Sequence, residues 1–124
     1  MSKNTKNRIL VVDDEDALRT ILSTELSTAG YDVTSASDGD EAISFLRKNN
    51  FDLALLDIKM PKVDGIEVLK FIHKNFPGMK VIMLTGFADL KHAMEAKEFG
   101  ARDFITKPYR IDDVLSTITS VLKE

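Results

Sequence analysis

The stretch Ile9-Leu10-Val11-Val12-Asp13-Asp14 sets four apolar residues directly before two aspartates, and similar arrangements follow along the chain. Leu53-Ala54-Leu55-Leu56 stops at Asp57, Val81-Ile82-Met83-Leu84 at Thr85, and Phe104-Ile105-Thr106 at Lys107-Pro108. Short runs rich in Val, Ile and Leu, without polar alternation, are typical of strands covered on both faces, as in a parallel sheet. The four runs therefore predict an α/β fold.

Helical patterns separate these runs, and a weaker strand is predicted at 31–36. Apolar residues at i, i+3 and i+4 predict amphipathic helices: Leu18, Ile21, Leu22, Leu26 and Ala29; Ala42, Ile43 and Leu46; Ile66, Leu69 and Ile72; Val114, Leu115, Ile118, Val121 and Leu122. Residues 89–99 predict a further helix with a thin apolar face of Leu90, Ala93 and Met94. We expect Gly30 to end the first helix and Asp64 to begin the third.

Five strand–helix pairs in series predict a flavodoxin-like (βα)5 three-layer sandwich, with a parallel five-stranded sheet of order 2-1-3-4-5. The first and third strands are then neighbours. Because parallel strands all point the same way, the residues after their carboxyl ends meet at one edge, where such folds bind ligands. We therefore expect Asp13, Asp14 and Asp57 to share a pocket with Thr85 and Lys107.

Length and composition narrow the class of protein. The 124 residues suffice for one domain, predicted at 8–124 behind a polar N-terminal segment at 1–7. The net charge of −3 gives no sign of the basic surface that binds nucleic acids. No apolar stretch is long enough to cross a bilayer. The absence of cysteine excludes disulfides and thiolate metal sites. We expect a cytoplasmic protein without direct contact to nucleic acid or membrane.

Three crowded carboxylates repel one another unless a cation joins them, and no His or Cys accompanies them. A hard, oxygen-binding cation such as Mg²⁺ suits this set, and aspartate is a known covalent acceptor of phosphoryl groups. The Lys107 ammonium and the Thr85 hydroxyl are suitable partners for phosphoryl oxygens. Taken singly, each aspartate reads better as a helix cap, Thr85 as a turn residue and Lys107 as a solvated lysine. Their joint position after strand ends favours a functional site.

These residues give the chain a family resemblance over essentially its whole length. It resembles the receiver domain of two-component response regulators. The matching marks, in order, are Asp13-Asp14, Asp57, Met60-Pro61 with Asp64-Gly65, Thr85-Gly86 and Lys107-Pro108. No single one of these motifs is specific for the family, but the full set in this order and at these spacings is.

The resemblance implies a role for each site residue. Asp57 resembles the family's phosphoacceptor, and the resemblance also implies that it is one of the Mg²⁺ ligands. Asp14 matches the direct Mg²⁺ ligand, Asp13 the acidic residue that holds the ion through water, and the backbone carbonyl of Lys59 completes the protein ligands. Thr85 and Lys107 match the groups that bind the phosphoryl oxygens. The resemblance also implies a cis peptide bond between Lys107 and Pro108.

The resemblance further implies a switch and not a metabolic enzyme. A sensor histidine kinase would phosphorylate Asp57, Thr85 would move inward, and Phe104 would fill the space. The face built from the fourth helix, fifth strand and fifth helix would then control an output domain or a downstream protein. Many members carry Tyr at the Phe104 position, so a simple packed aromatic on an outer strand stays an alternative. Phe87 lies where receivers tune the lifetime of the phosphoryl group, and a shielding role is a hypothesis.

Other functions stay open at this point. An aspartyl-nucleophile phosphatase of the haloacid-dehalogenase type would need a second Asp two residues after the nucleophile, where this chain has Lys59. A flavin carrier would need a hydroxyl- and glycine-rich phosphate loop where Asp13 and Asp14 stand, and the chain contains no P-loop motif. A stand-alone regulator, a domain of a longer chain and a homodimer are all compatible with the sequence.

Overall fold

The structure, a computed structural model, describes residues 6–86 and 90–124, with Leu90 as backbone alone. Strands and helices alternate along these residues. The strands are β1 (Arg8–Val12), β2 (Asp32–Ala36), β3 (Leu53–Asp57), β4 (Lys80–Thr85) and β5 (Asp103–Thr106). The helices are α1 (Asp16–Thr28), α2 (Gly39–Lys48), α3 (Gly65–Asn75), α4 (Leu90–Glu98) and α5 (Ile111–Leu122). The predicted helix start at Asp89 and the hypothesis on Phe87 lie outside the described residues.

The strands form one parallel sheet of order β2-β1-β3-β4-β5, which confirms the predicted flavodoxin-like topology. In the central register Val12 pairs with Leu56, so Asp13 and Asp57 leave the sheet side by side. At the far edge Thr85 pairs with Thr106, the residue before Lys107. The register therefore gathers the polar strand ends on one edge.

Two apolar clusters cover the two faces of the sheet and complete the three layers. Successive residues of β1 alternate between them: Leu10 and Val12 lie in one, Ile9 and Val11 in the other. The first cluster is closed by α2, α3 and α4, and the second by α1 and α5. Every residue of β3 is buried, as predicted for a strand covered on both faces.

Three residues predicted to face the core do not, and one of them, Ala29 just after α1, is exposed at the helix end. Ile21 in α1 is 49% exposed, and Met94 in α4 is 76% exposed. The buried stripe of α1 instead contains Leu22 and Leu26, and among residues 91–98 of α4 the buried side chain is Ala96. Because adjacent helical positions differ by about 100°, an apolar residue one place off the stripe turns toward solvent.

The predicted helix boundaries are confirmed at two positions. Gly30, with φ at +105°, follows the last turn of α1, where its N–H donates to the Ser27 carbonyl. Only a residue without a Cβ adopts this backbone region at no cost. Asp64 precedes α3, and its side chain accepts a hydrogen bond from the Glu67 N–H at 3.0 Å.

Gly65, the first residue of α3, lies against the end of β3. A Cβ at this position would come 2.0 Å from the Asp57 carbonyl oxygen, whereas at Gly78 it would meet nothing within 4 Å. We expect Gly65→Ala to lower the free energy of unfolding by about 3 kcal/mol, because the backbone that carries Asp57 must shift. Gly78→Ala is the matched control and should change it by less than about 1 kcal/mol. Urea titration of both variants measures the difference, and equal stabilities would contradict the close packing.

Candidate functional site

Three carboxylates meet at the carboxyl edge of the sheet. Asp13 follows β1, Asp57 is the last residue of β3, and Asp14 begins the turn into α1. One ligand oxygen from each lies within 4.8 Å of the others. Asp13 is fully buried and Asp57 is 5% exposed, while Asp14 faces solvent. The structure thus brings together the three carboxylates that the strand order predicts to be neighbours.

Lys107 reaches into this cluster from the end of β5. Its Nζ lies 3.1 Å from Asp57 Oδ2 and 3.5 Å from Asp13 Oδ2. Its backbone N–H donates to the Thr85 carbonyl at 2.8 Å, and the peptide bond to Pro108 is cis, as the resemblance implied. The lysine backbone is therefore fixed to the adjacent strand while its ammonium lies between two carboxylates.

Glu15 also contacts the lysine, and the sequence reasoning did not select it. Glu15 Oε1 lies 3.6 Å from Lys107 Nζ, on the solvent side of the cluster. Its position in the sequence could have indicated this contact, because Glu15 directly follows Asp13 and Asp14. Acidic residues are also common before a helix, so the pattern alone does not separate the two roles.

Burial dominates the electrostatics of the site. It raises the pKa of Asp57 to about 6, against the attraction of Lys107 and with the support of Asp13 and Asp14. Burial alone would lower the pKa of Lys107, but the charges of Asp57 and Asp13 outweigh it and raise that pKa. At neutral pH the site therefore contains a charged lysine beside an ionised and poorly solvated aspartate.

The two residues predicted to act as the switch lie on β4 and β5. Thr85 is 3% exposed, and its Oγ1 donates to the Gly86 carbonyl at 3.0 Å. Phe104 is half-buried and packs against the cluster closed by α2, α3 and α4. The Thr85 hydroxyl thus makes a local hydrogen bond that a stronger acceptor could replace.

The donor set at the carboxyl edge fits a hard cation. Asp13 has both oxygens engaged, with Oδ1 accepting from the Glu15 N–H at 2.9 Å and Oδ2 facing Lys107. Asp14 is exposed and lines an open cleft together with Lys59. Mg²⁺ favours such sites, with one or two carboxylates and several retained waters. The cluster offers oxygen ligands alone, which suits Mg²⁺ better than a thiophilic metal.

We expect Asp57→Asn to raise the stability of the protein in the absence of divalent cations. Because the pKa of Asp57 rises from 3.8 to about 6 on folding, ionisation opposes folding above pH 6 by about 2 to 3 kcal/mol. This cost shrinks as the pH falls from 6 and vanishes below 3.8, where the carboxyl is protonated in both states. Thermal unfolding in EDTA at pH 7.5 and pH 4.5 measures the effect. A gain equal at both pH values would contradict this origin.

Fold and site together define a parallel α/β protein with an acidic cluster and a lysine at the carboxyl edge of its sheet. The sequence matches the response regulator receiver domain family over residues 9–119. The chain belongs to this family.

Individual relatives agree with this assignment. The chain is 42% identical over 118 residues to the probable transcriptional regulator ycf27 of Porphyridium aerugineum, covering 95% of this chain and 49% of that protein. It is 38% identical over 108 residues to the regulatory protein AtoC of Escherichia coli K12, covering 87% of this chain and 23% of that protein. The chain thus spans about half the length, or less, of these curated relatives.

A solved structure matches the chain along its full fold. The CheY-like response regulator receiver domain protein from Methanospirillum hungatei JF-1 superposes with a TM-score of 0.92 and 38% sequence identity. The match covers 96% of this chain and 95% of that one. Receiver domains are signalling domains of two-component systems, and the family typically binds Mg²⁺. Within 6–86 and 90–124, no helix combines the length and apolarity that crossing a membrane requires.

Proposed function

We propose that the chain is a phosphorylation-dependent switch in which Asp57 accepts a phosphoryl group from a histidine of a sensor kinase. One observation carries the proposal: the buried Asp57 carboxylate lies beside two further carboxylates and 3.1 Å from the Lys107 ammonium. A nucleophile, a cation site and a positive charge in this arrangement would support phosphoryl transfer. We further propose that residues 8–124 form the receiver unit and that the reaction takes place in the cytoplasm.

The transfer needs little covalent chemistry from the protein. An Asp57 carboxylate oxygen forms a bond to phosphorus while the bond from phosphorus to the kinase imidazole nitrogen breaks, and the electron pair leaves with the imidazole. Charge spreads over the three remaining phosphoryl oxygens, so catalysis consists mainly of positioning and neutralisation. Lys107 is already close enough to Asp57 to meet one of these oxygens.

A divalent cation completes this arrangement in our proposal. Asp14 would bind it directly and Asp13 through water. Asp57 and the Lys59 backbone carbonyl, in the β3–α3 loop, would be the remaining protein ligands. Bound Mg²⁺ supplies positive charge that neutralises the phosphoryl oxygens and relieves the repulsion among the carboxylates. The exposure of Asp14 and its shared cleft with Lys59 support this division of roles.

Phosphorylation would change the hydrogen bonding of Thr85. A phosphoryl oxygen is a stronger acceptor than the Gly86 carbonyl that Oγ1 now contacts, because it is charged. The hydroxyl would turn inward, and the half-buried Phe104 ring would rotate into the space it vacates. The face of α4, β5 and α5 would then change shape and control an output domain or a downstream protein. A free-energy difference of about 5.5 kcal/mol suffices to invert a 1:99 equilibrium.

The alternative is an aspartyl-nucleophile phosphatase, and the structure does not favour it. The side chain two residues after Asp57 is the exposed Lys59, so the second carboxylate of such enzymes is lacking there. Incubation with a small phosphodonor and Mg²⁺, followed by intact mass and phosphate release, separates the two functions. The proposal predicts one added phosphoryl group per chain. Continuous release of phosphate from many different esters would instead support the phosphatase.

A further inference from the structure

Arg19 lies in the second turn of α1 and reaches back to the turn that carries the aspartates. Its Nη1 donates to the Asp13 backbone carbonyl at 2.8 Å, and its Nη2 donates to Asp16 Oδ1 at 2.6 Å. The Arg19 side chain is only 18% exposed. One guanidinium therefore ties the end of β1 to the first residue of the helix.

This contact matters because α1 begins without a side-chain cap. Asp38 and Asp64 each cap their helices by accepting a backbone N–H, at 2.8 and 3.0 Å. Glu15, at the corresponding position of α1, makes no such hydrogen bond. The turn is held instead by the hydrogen bond from the Glu15 N–H to Asp13 Oδ1 and by Arg19.

We propose that Arg19 is a positioning residue for the cation site, an inference that rests on the proposed function of Asp13 and Asp14. The carbonyl that Arg19 holds belongs to the planar peptide group between these two aspartates. Without its donor, this carbonyl would turn toward another partner, because buried carbonyl groups are nearly always hydrogen-bonded. Both carboxylates would move with the peptide plane.

The sign of the expected effect separates positioning from simple charge. Arg19 carries a positive charge close to the acidic cluster, so removing it should strengthen cation binding if charge alone mattered. If Arg19 fixes the ligand geometry, removing it should weaken cation binding. Replacing residues that support metal ligands from behind typically costs 10- to 100-fold in affinity.

Calorimetric titration of the whole chain with MgCl₂ tests the proposal, using wild type, Arg19→Met, Arg19→Lys and Arg110→Met. We expect Arg19→Met to weaken Mg²⁺ binding by about tenfold, and Arg19→Lys to recover part of the loss by donating one hydrogen bond. Arg110→Met is the matched control, because Arg110 also pairs with an aspartate, Asp112 at 3.9 Å, but is 81% exposed. Its affinity should equal that of wild type.

The outcomes are distinct. Mg²⁺ binding by Arg19→Met that is unchanged or tighter than in wild type would overturn the proposal. If the unfolding midpoint of Arg19→Met in EDTA also falls, the role of Arg19 is structural alone. Arg19→Gln repeats the neutralisation with a polar side chain if the Met variant does not fold. A wild-type protein that binds no Mg²⁺ would overturn the proposed function itself, and the inference with it.

Discussion

In the presence of Mg²⁺, Asp57→Asn should take up phosphoryl groups from a small phosphodonor more slowly than wild type, by a factor on the order of 10² or more. An amide cannot replace the carboxylate as nucleophile, although it preserves the shape of the side chain. The variant should be more stable than wild type without cations, and its unfolding midpoint is measured in the assay buffer as well. A loss of uptake by the folded variant then cannot be attributed to unfolding.

Asp40→Asn is the matched control for this substitution. Asp40 is an exposed aspartate in the first turn of α2 and is not one of the three carboxylates of the acidic cluster. Intact mass after a timed incubation measures uptake in wild type and both variants. Uptake by Asp57→Asn at the rate of Asp40→Asn would contradict the assignment of the phosphoacceptor.

Lys107→Met should slow phosphoryl transfer by about 10²- to 10³-fold at saturating Mg²⁺. The ammonium lies 3.1 Å from the Asp57 oxygen, so it can meet the charge that develops on the transferred group without reorganisation. Methionine keeps most of the length of the side chain and removes the charge. Lys107→Arg should recover little, because the planar guanidinium does not fill the place of a compact ammonium.

Lys107→Met leaves the buried Asp13 and Asp57 carboxylates without their cationic partner, so its unfolding midpoint must be measured alongside the rate. Lys48→Met, at an exposed lysine in the last turn of α2, controls for loss of net charge. Rapid-quench sampling with a small phosphodonor yields the transfer rate of each folded variant. A rate for Lys107→Met within about twofold of Lys48→Met would remove Lys107 from the proposed mechanism.

The fold was predictable because its determinants are local and repeated. Apolar runs without polar alternation mark buried parallel strands, and alternating helices then allow few topologies. The errors at Ile21 and Met94 have a common cause. An amphipathic pattern identifies a helix more reliably than it identifies the margin of its buried stripe, which depends on the neighbouring elements.

The candidate site was predictable for the residues at or just after the carboxyl ends of strands, because strand order determines which ends are adjacent. Glu15 and Arg19 were missed for a different reason. Their contacts to Lys107 and to the Asp13 carbonyl depend on the path of the turn after β1, which no periodicity encodes. In sequence both look like ordinary charged residues at the start of an amphipathic helix.

Locating the phosphoryl group on the chain tests the central claim most directly. After incubation with a phosphodonor and Mg²⁺, borohydride reduces an aspartyl phosphate to homoserine, and tryptic peptides are then fragmented by mass spectrometry. Residues 49–59 form one peptide with Asp52 and Asp57, and residues 9–19 form another with Asp13 and Asp14. We predict homoserine at position 57 alone. Homoserine at Asp13, Asp14 or Asp52, or at no aspartate, would contradict the account.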